Sequence, residues 1–320
     1  MSIESSSAII IGSGIAGLTT AYKLQNSGCS VRVFESGERV GGAMNTHSQN
    51  GWLAEYGPNT ILETSTQIKT LITKLGLDGE KLYPNSVSSN RFIVKNGKLL
   101  PLPISPLAFF SSSLFSAKSK FNIIREPFIP KWQNQYEESL SEFVLRRLGK
   151  NFLDYAVNPF VAGVFAGDPD RLSVKHALSK LYKLEQNYGS LIKGQIKKAK
   201  LPAEPDDISK NRAKMFSFKN GLKVLPETLA SKLKTPIEFN TRVEQVQKLN
   251  EGWEITYNQQ NEIKTQKADN LIYAGTGHQL ADCKIISDKD VDLSFGNEIE
   301  YPPVAVLTLG FHKNQIQHTL

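Results

Sequence analysis

The chain has 320 residues, more than one ordinary domain requires, so two lobes are expected. Forty percent apolar residues suffice for a sizeable core, and nothing in the composition marks disorder. The formal charge of +7 is compatible with nucleic acid, anionic membrane or acidic small molecules as partners. The absence of zinc-ligand spacing and of basic runs interleaved with aromatics argues against nucleic acid. Cys29 and Cys283 form neither a disulfide framework nor a CxxC motif, so a reducing cytoplasm is expected. A strand near Ala8 leaves no room for a cleavable signal peptide. No apolar run approaches the ~20 residues of a membrane-spanning helix, so any membrane contact is expected to be peripheral.

Ala8 to Ile11 is an apolar run of the kind a buried parallel strand needs. Gly12, Ser13, Gly14, Ile15, Ala16 and Gly17 follow, then a helical pattern with Leu18, Ala21, Tyr22 and Leu24, ended by Gly28. A second strand spans Ser30 to Phe34, with Glu35 at its end. Gly12 permits the tight turn, Gly14 lets backbone N–H groups approach a pyrophosphate, and Gly17 lets the helix pack closely on the sheet. The helix N-terminus offers unpaired N–H donors and partial positive charge to phosphate. Glu35 can accept both ribose hydroxyls. A lone GxGxxG is a weak signal; within strand, helix, strand and acid it is a strong one for a dinucleotide.

Ser36 and Glu38 to Gly42 continue the second strand directly. The Gly41–Gly42 pair lets backbone pass close to something bulky, where a plain NAD domain starts its next helix. With Arg39 and Ala43 around it, this stretch resembles the extended nucleotide signature of the glutathione-reductase-like flavoproteins. That resemblance implies FAD, its diphosphate and ribityl chain lying against the two glycines. Ala43 stands where many members carry arginine. Ala54 to Asn59 contains Gly57, Pro58 and Asn59, and resembles the acid-x-Gly-Pro element near the flavin ring in the amine-oxidase-like branch.

Residues 91–103 read as a hairpin about Asn96–Gly97. Leu107 to Phe115 is apolar with Lys118 and Lys120 close behind, either a helix lying on a membrane surface or a core helix of the second lobe. Ser139 and Glu142 have capping-box spacing, starting a helix to about Leu148; a second helix is expected from Asn151 to Val157. In Asn158 to Ser173, small residues at Ala162, Gly163, Ala166 and Gly167 alternate with apolar ones, which lets a flat ligand approach the backbone. Residues 174–200 have helical spacing with many lysines. Residues 236–273 read as a β-meander and a strand returning to the nucleotide sheet. Residues 304–311 read as a further strand.

The run Asn158 to Ser173 resembles, nearly residue for residue, a segment of the protoporphyrinogen and coproporphyrinogen oxidases. So do Glu142 to Gly149, Ser89 to Gly97 and Lys219 to Pro226, although Asn220 stands where that family often has glycine. The resemblance implies an α/β fold: a Rossmann-like FAD-binding domain at 1–88 and 212–283, and an α+β substrate and membrane-associated lobe at 89–211 and 284–320. It implies six-electron oxidation of a porphyrinogen in haem biosynthesis, with O2 the acceptor in oxygen-dependent members and H2O2 the product. Protoporphyrinogen IX is the expected substrate and coproporphyrinogen III the alternative. Another amine-oxidase-like flavoenzyme, or a binding protein on the same fold, is the remaining choice.

Carried over residue by residue, Arg91 binds a substrate carboxylate, Gly163, Val164, Phe165 and Ala166 line the ring, and Val243 presents backbone to adenine. Ala274 follows the returning strand at the flavin. No catalytic side chain and no metal ligand is expected; the five histidines lie in no motif. The expected location is cytoplasmic, with peripheral contact to the inner face of the cell membrane; the oligomeric state, a homodimer included, stays open. The family's C-terminal flavin segment falls past Leu320, so the chain is expected to be cut short of its natural end. The 320-residue polypeptide alone should therefore bind FAD weakly or not at all and show no turnover; flavin absorbance in the purified polypeptide would contradict this.

Overall fold

A computed structural model describes residues 6–85, 91–134, 136–200, 213–288 and 290–315. Ser89 and Asn90, the sequence-based domain boundaries at 88, 211 and 212, and Leu320 lie outside the described residues. The chain begins β1 (Ser7–Ile11), α1 (Ile15–Asn26), β2 (Ser30–Phe34), β3 (Thr46–Gln49), β4 (Trp52–Glu55), β5 (Ile61–Leu62), α2 (Thr66–Lys74) and β6 (Lys81–Leu82). It continues with β7 (Phe92–Lys95), β8 (Lys98–Pro101), α3 (Pro106–Ser111), α4 (Ala117–Arg125), α5 (Leu140–Arg147), α6 (Lys150–Phe152), α7 (Asn158–Phe165), α8 (Val174–Ala177), α9 (Ser179–Tyr188) and α10 (Leu191–Ala199). Then come β9 (Met215–Phe218), α11 (Val224–Ser231), β10 (Thr241–Lys248), β11 (Trp253–Gln259), β12 (Glu262–Ala268), β13 (Asn270–Tyr273), α12 (Gly277–Ala281), β14 (Lys284–Ile286) and β15 (Asp290–Val291).

Two compact units result. The first comprises Met1–Pro84, Asp206–Tyr301 and Ala305–Gln317. Its centre is a parallel sheet in the order β13-β1-β2. Ile10 at the middle of β1 is fully buried, with Val31 and Val33 beside it and Ala21 of α1 above. Leu18 on another face of α1 packs with α2, β9 and α11 through Ile72, Phe216 and Leu229. The second sheet runs β12-β11-β10-β14-β15. The predicted meander is therefore present, and β14 pairs parallel with β10. Residues 284–301 thus stay with the first unit, where the sequence boundary at 283 passes them to the other lobe.

The second unit comprises Asn85–Pro205 with Pro302–Val304 and His318–Leu320. The hairpin forms about Asn96 and Gly97, whose φ of 52° and 72° suit the turn that matches strand twist. The capping box at Ser139 and Glu142 is complete in both directions. The expected helix 151–157 is longer: α6, a π-helical turn Leu153–Val157 and α7 run on without a break to Phe165. The ring-lining candidates therefore sit on a helix and its left-handed end at Ala166, φ 46°. The helical stretch 174–200 is broken at Leu178 and at Gly189, giving α8, α9 and α10.

The strand expected at 304–311 is absent. The segment is exposed and without a ladder partner among the described residues, and alternation alone does not satisfy strand hydrogen bonds.

A buried ion cluster holds the second unit together. Arg147, Glu126 and Glu185 are each fully buried. Arg147 Nη1 donates to Glu126 Oε1 at 2.7 Å and Arg147 Nε to Glu185 Oε1 at 2.7 Å, with a further close contact from Nη2. Glu126 also accepts from Leu191 N at 2.8 Å and Ser190 Oγ at 2.6 Å, capping α10 from outside its own sequence. Arg147→Met should cost the protein about 3–5 kcal/mol, because buried Glu126 loses its counter-charge and Glu185 keeps only Arg146. The exposed pair Lys150–Asp154 should contribute no more than about 0.5 kcal/mol. Chemical denaturation of the two single variants checks the contrast.

Candidate functional site

The C-terminal ends of β1, β2 and β13 meet at one cleft of about 830 Å³ within the first unit. Gly12 N donates to Phe34 O at 2.8 Å and Ala274 N to Ile11 O at 2.8 Å, fixing both neighbours of β1 at this edge. Ligands bind at such an edge in open parallel sheets because the helix after the strand points its N-terminus there. Gly12 has φ +102°, and a Cβ on it would meet Ala274 C at 3.2 Å. A Cβ on Gly17 would overlap the Gly12 carbonyl oxygen. Gly14, by contrast, has nothing near the position of its missing Cβ.

The first turn of α1 has no side-chain cap and no acidic residue. Ile15 and Ala16 line the cleft beside Gly12 and Gly14. Their N–H groups lack intrahelical acceptors, as at any helix start. Glu35 faces the same space from the end of β2. Its Oε2 accepts from Ser13 N at 2.8 Å and Ser13 Oγ at 2.6 Å, and its Oε1 from Gly37 N at 2.8 Å. Ser13 is fully buried, so it aims the carboxylate rather than lining the cleft.

The Gly-Gly turn forms another wall. Gly41, Gly42 and Ala43 line the cleft with Ser36 and Pro58. Gly41 forms an isolated bridge with Gly14, which holds the turn against the start of α1. Arg39 folds back, its Nη2 donating to Gly42 O at 2.8 Å. A Cβ on Gly57 would overlap the Ala43 carbonyl oxygen, so this glycine lets Pro58 approach while Asn59 stays exposed. Glu55, the acid before it, accepts from Thr46 Oγ1 at 2.7 Å and Leu222 N at 2.8 Å, tying β3 and β4 to the turn before α11. Val243 and Ala274 complete the cleft from β10 and after β13.

Twelve of the predicted cofactor positions therefore converge on one cleft: Gly12, Gly14, Ile15, Ala16, Glu35, Ser36, Gly41, Gly42, Ala43, Pro58, Val243 and Ala274. Ser13, Gly17, Arg39, Gly57 and Asn59 are not part of its lining. Sequence reasoning missed Arg242, Tyr273, His278, Gln279, Asp282 and Cys283, which also line it. The available signal was Thr276-x-x-Gln279, a capping box directly after the returning strand. Burial, with the nearby Cys283, Tyr301 and Asp282, pushes the Tyr273 phenol up to about 12, so it is a neutral donor, here to Thr276 O at 2.8 Å. Burial likewise pushes the Cys283 thiol up, which keeps it from acting as a thiolate.

Of the predicted substrate residues, Arg91 stands exposed beside the hairpin, its carbonyl accepting from Leu102 N at 2.8 Å. Gly163, Val164 and Ala166 are exposed and Phe165 is half-buried against the core of the second unit. Among the described residues no cluster of His, Cys, Asp or Glu suits a metal ion.

The sequence matches the flavin-containing amine oxidoreductase family over residues 15–319. The chain belongs to that family. It is 33% identical to protoporphyrinogen oxidase 2, chloroplastic/mitochondrial, of Arabidopsis thaliana, covering 97% of this chain and 65% of that protein. It is 30% identical to coproporphyrinogen III oxidase of Bacillus subtilis, covering 73% of this chain and 53% of that one. A solved Exiguobacterium chain assigned as a protoporphyrinogen oxidase shares the fold at a TM-score of 0.66 and 22% identity, over 87% of this chain and 61% of that chain. The chain thus spans roughly half to two thirds of the length of these relatives.

The family's cofactor is FAD, and the cleft fits its ADP half. It offers an uncapped helix start for diphosphate, a pinned carboxylate for the ribose diol, and open space where a side chain on Gly14 would stand. Gly14→Ala in the full-length flavoprotein should change stability by no more than about 1 kcal/mol, the scale of an N-cap change. It should nonetheless weaken FAD retention, since its methyl enters the cleft. Gly17→Ala should instead fail to fold or melt far lower. Melting with and without added FAD separates the two.

Proposed function

We propose that the full-length protein is an FAD-dependent oxidase that converts protoporphyrinogen IX to protoporphyrin IX. The observation that carries this is the 33% identity to a protoporphyrinogen oxidase, spread over 97% of the chain and not confined to the nucleotide motifs. Coproporphyrinogen III is the second reading, favoured by the Bacillus subtilis relative. In the balanced reaction six electrons leave the macrocycle as three hydride equivalents, with three protons. Three O2 accept them and become three H2O2. FAD, when bound, supplies the hydride acceptor.

This chain's own residues bind, orient and exclude water. The N–H groups at Gly14, Ile15 and Ala16 hold the diphosphate, with Gly12 shaping the turn beside them, and Glu35 accepts from the ribose hydroxyls. Gly41, Gly42 and Ala43 make room for the ribityl chain, with Ser36, Pro58 and Ala274 around the cofactor and Asn59 following Pro58 outside the lining. Val243 offers backbone to adenine. Ser13, Gly17, Arg39 and Gly57 act by position, holding the groups that touch it. In the second unit Arg91 receives a propionate, and Gly163, Val164, Phe165 and Ala166 meet the apolar ring. No side chain need serve as base, since pyrrole nitrogens and water take the protons. Oxygen as acceptor, the cytoplasm as location and peripheral contact with the inner face of the cell membrane complete the reading.

Anaerobic addition of protoporphyrinogen should bleach the flavin absorption and yield fluorescent protoporphyrin, with coproporphyrinogen less effective. No bleaching by either substrate would overturn the assignment. Arg91→Ala should mainly raise KM, by about 1.5–3 kcal/mol for one charged hydrogen bond. Steady-state kinetics measure it, and unchanged constants would remove Arg91 from the site.

A further inference from the structure

The substrate candidates of the second unit sit on two separate elements. Arg91 precedes the β7–β8 hairpin, and Gly163 to Ala166 form the end of α7. The hairpin has two unlike faces. Phe92, Val94 and Leu99 are exposed on one, and Ile93, Lys95 and Leu100 are half-buried on the other. Side chains alternate along a strand, so Arg91 continues the row of Ile93 and Lys95. Lysine is an uncommon choice for an inward position, because its ammonium must find partners there.

Lys95 finds them on two other elements. Its Nζ donates to Leu114 O at 2.6 Å and lies 4.7 Å from the centre of the Tyr155 ring. Leu114 belongs to the turn between α3 and α4, and Tyr155 is the middle residue of the π-helical turn that runs on into α7. That turn and that helix are already joined. Asn151 Oδ1 accepts from Ser116 N at 2.9 Å and from Ser119 Oγ at 3.0 Å, and the Phe152 ring stacks on buried Phe115 at 5.4 Å. The π-helical turn is an irregularity of the kind that recurs at functional sites. Gly163 follows Tyr155 by about two turns and falls on the same side by helical spacing. The hairpin beside Arg91 and the helix that carries the ring-lining residues therefore leave one junction, with the Lys95 ammonium at its centre.

We propose that Lys95 is a positioning residue for the substrate: it fixes the carboxylate-binding Arg91 relative to the ring-binding end of α7 without touching the substrate itself. This rests on the porphyrinogen reading above. A propionate is tied to its macrocycle by a short arm, so a site that takes both gains most when its two contacts are held at a matching separation. Without the ammonium each contact survives, but the hairpin is no longer fastened to the helix. The incoming substrate must then supply the ordering, and its affinity falls.

Steady-state kinetics of the full-length flavoprotein test it. Lys95→Met, which keeps the stem and removes the charge, should raise KM for protoporphyrinogen roughly fivefold or more, with kcat changed far less, the scale of one cation–π contact and one charged hydrogen bond lost away from the chemistry. Lys95→Arg, which keeps a cation and its donors, should restore KM. In an Arg91→Ala background the Lys95→Met step should shrink to about twofold or less, because residues that act as a unit are not additive. Hydrogen exchange without substrate should quicken in Lys95→Met over both residues 92–102 and residues 153–165. Melting temperature and flavin content show that the variants fold, and Tyr155→Leu, which removes the ring and keeps bulk, decides should Lys95→Met not fold. An unchanged KM in the folded variant, no rescue by arginine, or exchange that quickens in the hairpin alone would overturn the proposal. So would a KM step of full size in the Arg91→Ala background, the result expected of a lysine that binds substrate by itself. A wild type that porphyrinogen does not bleach removes the porphyrinogen reading and this inference with it; a wild type that bleaches, with flat Lys95 kinetics, removes this inference alone.

Discussion

The first unit depends on one close approach, the first turn of α1 against the carbonyl of Gly12. Position 17 has no room for a methyl group. With hydrogen there, the helix start is brought to the edge of the parallel sheet, and its unpaired N–H groups open onto the cleft. The strands on either side of β1 are hydrogen-bonded to its end, which brings Glu35 and Ala274 to the same edge. The Gly-Gly turn then closes over the helix start through the bridge between Gly14 and Gly41. Each later component of the cleft takes its place from that contact.

The second unit solves a different problem. Its helices are short, and short helices gain little stability from their own backbone bonds. Arg147 joins the turn after α4 to α9 and the start of α10, because Glu126 and Glu185 come from those elements. A buried pair of this kind is expensive to desolvate and fixes geometry more than it adds stability. Here the geometry fixed is the placement of α9 and the start of α10 against the turn that follows α4.

Most of the nucleotide half was legible in the sequence, because its signals are local. Strand, glycine turn, helix, strand and acid follow one another within 35 residues, and each residue type answers a backbone requirement. The contribution of α12 was hidden, since His278 and Asp282 reach the cleft only after the chain has returned from the meander. The helix at Asn158–Phe165 was not assigned from the sequence, because small and apolar residues such as Ala162 satisfy a helix as readily as a ligand wall. The strand expected at 304–311 failed for the opposite reason: a strand needs a partner, and no local pattern supplies one. The role of Arg147 was equally unreadable, since nothing in Arg146–Arg147 distinguishes a buried cation from an exposed one.

The fixed carboxylate of Glu35 bears on which nucleotides the cleft could accept. Three donors already grip its carboxylate, so it cannot swing aside for a group it repels. A nucleotide bearing an extra phosphoryl group on the adenosine sugar would set a dianion against that fixed negative charge. A nucleotide held there would thus meet the strand end as an electrostatic filter against an additional sugar phosphate.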